Sequence, residues 1–274
     1  MSEVLDPFSA RFMQYALAEV LLLAVAGALL GAQIVLRRLS FFAHGAGTAT
    51  FPGLVVAGPA GVPPQLSALA VSGAFAVALE RLGRAARTTQ DAATALLLVA
   101  ALAIGIILAS DVLVSGSSVD QLLFGSLLGI GTDELALSAG AVVLVALVTA
   151  AFDRAWVARG FDPEGASALG VPVAVADLAL LLAVAVAVVA SIDAVGALLV
   201  GAVLVIPAAT ARPLAGSVGS LRLHTLWIGG VEGAAGLWVA YQLDLPPGPV
   251  IAVLGGAMFT VVTVVAWARH GVPA

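Results

Sequence analysis

The sequence predicts an all-α integral membrane protein, a polytopic helical bundle of about nine transmembrane segments, with eight to ten as the bounds. Three observations predict it. Of the 274 residues, 62% are hydrophobic and only 10% are charged, against about 25% charged in ordinary globular domains. The apolar residues fall into runs of about 20, the length a helix needs to cross a bilayer. The 11 basic residues, all Arg, sit in short intervals between those runs.

Taken in order, the runs are Tyr15–Leu36, Leu66–Leu82, Ala92–Ser110, Leu135–Phe152, Pro172–Ser191, Ala194–Ala211, Leu223–Leu243 and Pro249–Trp267. Phe41–Gly58 and Val119–Ile130 are shorter and rich in Gly or polar residues, so each is a tilted span, a broken helix or a re-entrant piece. Irregular backbone at membrane depth is tolerated only where protein or a water-filled cavity satisfies it, which makes these two segments candidates for lining a pathway. The start of the chain carries Glu3, Asp6 and Arg11, not the basic opening and small-residue cleavage site of a secretory signal. The first run is therefore expected to remain in the protein.

Arg placement orients the bundle, because cytoplasmic loops are enriched in basic residues. Counting Phe41–Gly58 as a span and Val119–Ile130 as re-entrant gives nine crossings, an outside N-terminus and an inside C-terminus. Arg37/Arg38, Arg81/Arg84/Arg87, Arg154/Arg159, Arg212/Arg222 and Arg269 then all lie inside. The Arg-free turns Gly58–Pro64, Asp111–Ser118 and Asp244–Pro247 lie outside. Residues 1–274 form one transmembrane domain. The longest inside interval, Asp153–Val171, holds an Asp-Pro start and a Gly stop at Asp162–Gly170, the signature of a short helix; it is either a loop helix or a docking helix for a cytoplasmic partner.

Several function classes are excluded or left without support. Cysteine is absent, so disulfides and thiolate chemistry are excluded. No basic stripe answers a phosphate backbone, so no nucleic-acid binding is expected. No G-x-x-x-x-G-K-[ST] loop and no H-E-x-x-H pair occur, and the chain is not expected to be an enzyme or to hold a permanent cofactor. Ionisable groups inside a membrane are costly and mark pathways by default. Glu19, His44 and Glu232 are the clearest. Glu19 reads either as an interfacial carboxylate or as a pathway group. Glu232, in GGVEGAAG, reads either as a pathway group or as a hydrogen bond between closely packed helices. Asp193, between two apolar runs, reads as a turn residue or a pathway group. His44 lies in FFAHGAGTATFPG, directly after Arg37/Arg38, with Thr48 one helical turn on; imidazole suits transition metals, and a neutral hydrogen-bonded histidine is the other reading.

The pieces PFSARFMQYAL (Pro7–Leu17), LLGAQIVLRRLSFF (Leu29–Phe42), TATFPGLVVA (Thr48–Ala57) and QLLFGSLLGI (Gln121–Ile130) occur in that order. FD…GFDPEGASALGV (Phe152–Val171), VGALLVGAVLVIPAATA (Val195–Ala211) and LDLPPGPVIAVL (Leu243–Leu254) follow. In order and spacing the chain resembles the membrane subunits of ATP-binding-cassette importers for zinc, manganese and iron. The resemblance implies a type II ABC-importer-like permease in the cell membrane, a homodimer with its pathway along the dimer axis. It also implies cytoplasmic ATPase subunits, an extracytoplasmic metal-binding protein that delivers the ion, and a divalent metal as the transported species. Asp162, Glu164, Gly165, Ala166 and Gly170 correspond to the coupling helix that meets the ATPase. The chain departs from the family where the pattern reads Asp-Ala-Leu-Ser-His: here it reads His44-Gly45-Ala46-Gly47-Thr48. A hard carboxylate ligand is gone, which weighs against Mn²⁺ and is easier to reconcile with zinc or iron. The alternatives are a permease for a metal chelate or other small solute, a stand-alone secondary transporter or channel, and a membrane subunit that no longer transports.

Overall fold

A computed structural model of the chain describes residues 6–85, 89–112, 125–162, 165–166, 172–197 and 199–270. A short 3₁₀ turn at Asp6–Ser9 leads into α1 (Arg11–Leu36), followed by α2 (Ser40–Thr48), α3 (Phe51–Ala60), α4 (Pro64–Ala85) and α5 (Gln90–Ile107). After these come α6 (Thr132–Phe161), α7 (Val173–Ala190), the single turn α8 (Ile192–Val195), α9 (Val200–Ala211), α10 (Val218–Leu243) and α11 (Pro247–His270). Among the described residues, six helices are long and apolar enough to cross a membrane, and α9 is a shorter apolar helix.

Helix α1 is the axis of the bundle. Its 26 residues span about 39 Å at 1.5 Å per residue, and it packs against α6, α9 and α10. Glu19, Leu23, Leu30, Gln33 and Ile34 of α1 are all buried. In contrast α11 presents Val253, Val261, Val264 and Trp267 to the outside. That inversion of the soluble pattern, with apolar residues on the outer surface, is what a lipid solvent permits.

The segment Phe41–Gly58 is a broken helix. Pro52 has no N–H to donate to Thr48, so the ladder is interrupted there, and Thr50 Oγ1 caps the break by donating to the carbonyl of Gly47 at 2.6 Å. The break is packed against a second one. Between α7 and α9 the chain makes only one helical turn, then passes through Gly196 at φ 85°. The two irregular stretches interlock: a Cβ on Gly201 would lie 2.5 Å from His44 Cα, and one on Gly47 would lie 2.7 Å from the carbonyl oxygen of Ala197. Only residues without a side chain allow this approach.

The predicted spans Pro172–Ser191 and Ala194–Ala211 are thus present as α7 and as α8 plus α9, with Gly196 and Ala197 outside either helix. The predicted re-entrant segment falls largely outside the described residues. Its end, Gly125–Ile130, holds a 3₁₀ turn at Leu127–Gly129, and Ser126 N–H donates to the carbonyl of Asp193 at 2.8 Å.

Arg-bearing ends cluster at one end of the bundle. Arg37, Arg38, Glu80, Gln90, Arg159 and Asp177 line one cavity there, of about 590 Å³. Arg212 and Trp267 line another with Leu36 and Phe161. This is the arrangement the Arg distribution predicts for a cytoplasmic side.

The interlock predicts a mutational contrast. Gly201→Ala is expected to lower the thermal midpoint of the detergent-purified protein, by about 1–3 kcal/mol of overpacking. Gly140→Ala, at a helical glycine with open space around it, is expected to be neutral or stabilising.

Candidate functional site

The sequence-predicted polar residues occupy three levels of the bundle. His44 lies on α2, half-buried, with its backbone against Gly201 of α9. Thr48, one turn on, donates its hydroxyl proton to the carbonyl of His44 at 3.2 Å. A Thr hydroxyl still has acceptor lone pairs after donating, so an oxygen remains on the same helix face as the imidazole.

Glu19 is 1% exposed. Its Oε1 stands 2.7 Å from Ser138 Oγ on α6, and the same hydroxyl stands 3.1 Å from the carbonyl oxygen of Ala190. Ser138 has a single proton, which serves one acceptor at a time. Glu19 Oε2 has no partner among the described residues. Beside it is a cavity of about 10 Å³ lined also by Ser138 and Ser191, room for about one water.

Asp193 is held at the opposite end from the Arg clusters. Gln65 Nε2 at the start of α4 donates to Asp193 Oδ2 at 2.8 Å. With the contact of Ser126 to its carbonyl, Asp193 ties α4, α8 and the Gly125–Ile130 turn together.

Glu232 is 5% exposed on α10, against α11: a Cβ on Gly255 would lie 2.0 Å from Glu232 Oε1. Its neighbours are Val20, Leu23, Val203, Pro207 and Ile251 around a second cavity of about 10 Å³, and its Oε2 has no partner among the described residues. Small residues beside a buried acid are what the GGVEGAAG pattern implies. Glu19 and Glu232 thus occupy separate surroundings, and neither of their cavities is lined by His44. Among the described residues no three His, Asp or Glu side chains gather into a group that would hold a metal ion.

At the Arg-bearing end, ion pairs bind the helices together. Arg37 at the end of α1 pairs with Asp177 of α7, and Arg159 Nε of α6 lies 3.5 Å from the other oxygen of Asp177. Arg222 of α10 pairs through both terminal nitrogens with Asp153 of α6. Next to these, Asp162 ends α6 and begins a new turn: its Oδ1 accepts from Gly165 N at 2.9 Å and its carbonyl from Ala166 N at 3.1 Å, with Ala166 buried. Glu164 and Gly170 lie outside the described residues.

Sequence reasoning singled out the isolated acids and missed Ser138, Gln65, Asp153 and Asp177. Asp177 was visible as a carboxylate one turn inside an apolar run. Its partner Arg37 is 140 positions away, a pairing no local pattern encodes.

A family model described as the ABC 3 transport family matches residues 9–266. The chain belongs to the ABC 3 transport family. It is 28% identical to the manganese transport system membrane protein MntC of Halalkalibacterium halodurans, covering 92% of this chain and 86% of that one. It is 30% identical to the chelated iron transport system membrane protein YfeD of Yersinia pestis, covering 95% and 87%. Among solved structures, PsaBC from Streptococcus pneumoniae in complex with Fab superposes with a TM-score of 0.84 at 25% identity, covering 95% of this chain and 94% of that one. This ABC 3 chain is therefore a multi-pass permease of the cell membrane, and its broken helices and buried acids belong to a transport scaffold.

The Glu19–Ser138 contact gives a direct test. Ser138→Ala is expected to destabilise the ABC 3 permease by about 1–3 kcal/mol by leaving a buried carboxyl oxygen unpaired. In a Glu19→Ala background the same change is expected to cost much less. A double-mutant cycle on thermal or denaturant unfolding reads the coupling.

Proposed function

We propose that this chain is the transmembrane permease of an ATP-driven importer of a divalent transition-metal ion, working as a homodimer with its pathway along the dimer axis. The observation that carries the reading is a match along nearly the whole chain to permeases named for manganese and chelated iron transport. ATP hydrolysis falls to separate cytoplasmic ATPase subunits, since the chain has no phosphate-binding loop. An extracytoplasmic metal-binding protein delivers the ion. Nine crossings, an outside N-terminus and an inside C-terminus fit the clustering of the Arg-bearing ends.

His44 and Thr48 are the proposed pathway ligands. They lie on the broken helix α2–α3, where interrupted backbone and small residues leave a polar face. An imidazole and a hydroxyl favour borderline metals such as Zn²⁺ or Fe²⁺ over the harder Mn²⁺. Glu19, Asp193 and Glu232 act as further pathway groups or as inter-helix ties, and their distinct surroundings favour the second role. The segment that carries Asp162, Glu164, Gly165, Ala166 and Gly170 docks on the ATPase. ATP-driven alternation between outward-open and inward-open states, with different ion affinity in each, gives net import. A chelate importer is the second reading, favoured by the name of the iron-transport relative.

Uptake of radiolabelled Zn²⁺, Mn²⁺ and Fe²⁺ into proteoliposomes tests the proposal, using this chain with its neighbouring ATPase and binding protein. ATP-dependent uptake of one metal is expected, reduced at least about tenfold in His44→Ala, with Mn²⁺ gaining in His44→Asp as a hard ligand returns. A complex that assembles and hydrolyses ATP but takes up no bare metal would sink the ion reading in favour of the chelate.

A further inference from the structure

The second cavity at the Arg-bearing end has no part in the pathway described above. It is an open groove of about 790 Å³, walled by Phe161, Pro213, Leu221, Phe259 and Trp267, and it runs between the ends of α6, α9, α10 and α11. Arg212 is its single ionisable lining residue, and no carboxylate lines it among the described residues. Arg212 is exposed and its guanidinium has no ion-pair partner there, unlike Arg37, Arg159 and Arg222. Trp267 is 55% and Phe161 70% exposed.

This combination has a definite complement. An aromatic residue and an unpaired cation at a helix end mark the level of the lipid headgroups, and the apolar walls continue from that level into the bundle. Water fills such a groove poorly, because its walls are largely side chains of Phe, Pro, Leu and Trp. An acyl chain fills it well. The cytoplasmic leaflet carries the anionic lipids, and basic pockets between membrane helices on that side recognise their headgroups.

We propose that the groove is a binding site for one anionic phospholipid of the inner leaflet, its acyl chain along Phe259 and Trp267 and its phosphate on Arg212. Because the groove joins the end of α6, where the Asp162 turn begins, to α9–α11, the lipid braces the cytoplasmic ends of these helices. The inference rests on the inward orientation of the Arg-bearing end and not on the identity of the transported substrate.

Trp267 supplies the probe. The full chain in detergent micelles is titrated with brominated phosphatidylglycerol or brominated phosphatidylcholine, and its fluorescence is compared with that of Trp267→Phe to isolate the Trp267 signal. Saturable quenching is expected at about fivefold lower mole fraction of phosphatidylglycerol. Arg212→Gln is expected to erase that preference and Arg212→Lys to keep it, while Ala209→Phe, which narrows the groove, weakens quenching by both lipids. Equal quenching by the two lipids in the wild type, or a preference unchanged in Arg212→Gln, overturns the proposal. Trp267 refractory to both lipids in a dimer but quenched on dissociation also overturns it, and assigns the groove to a second copy of the chain.

Discussion

The close approach of α9 to α2 is the contact on which the rest of the bundle depends. Two helices are interrupted at membrane depth, one at Pro52 and one at Gly196, and each interruption frees backbone groups that lipid cannot satisfy. They are tolerable because they face each other across Gly47 and Gly201. Backbone packs on backbone there, and Thr50 and Ser191 return hydroxyl protons to the carbonyls of Gly47 and Ala187. The same contact fixes where His44 is. Its Cα is pinned against α9, so the candidate pathway ligand is placed by packing and not by a hydrogen-bond network of its own.

Around that interlock the polar groups divide by depth. At the Arg-bearing end, three arginines are paired and tie helices distant in sequence: Arg37 and Arg159 with Asp177, and Arg222 with Asp153. Near the opposite end Asp193 is held by Gln65. Between these levels Glu19 and Glu232 each have one oxygen without a partner among the described residues, beside a cavity about one water in size. Groups of that kind are expensive in a bilayer. Glu19 stands between α1 and α6, and Glu232 between α10 and α11.

The membrane class, the apolar runs and the gathering of Arg at one end of the bundle were legible in the sequence, because each follows from local composition. Twenty apolar residues have one low-energy state in lipid, and Arg resists translocation wherever it occurs. At Phe41–Gly58 the glycines left a tilted span, a broken helix and a re-entrant piece open, and the structure shows the broken helix. What surrounds the acids was not legible. Glu19 meets Ser138 across 119 positions and Arg37 meets Asp177 across 140, and one apolar helix face looks like another until the helices are packed.

The sequence by itself therefore determined that this chain is a helical membrane permease and where its long apolar helices run. Only the tertiary structure decided that the two interruptions meet, that Glu19 and Glu232 have separate surroundings, and that Arg212 lines an apolar groove. The physical reason is that secondary structure and insertion are fixed by each segment's own interaction with lipid. Pairing between segments depends on close approach, and glycine contacts and ion pairs decide that only once the helices are side by side.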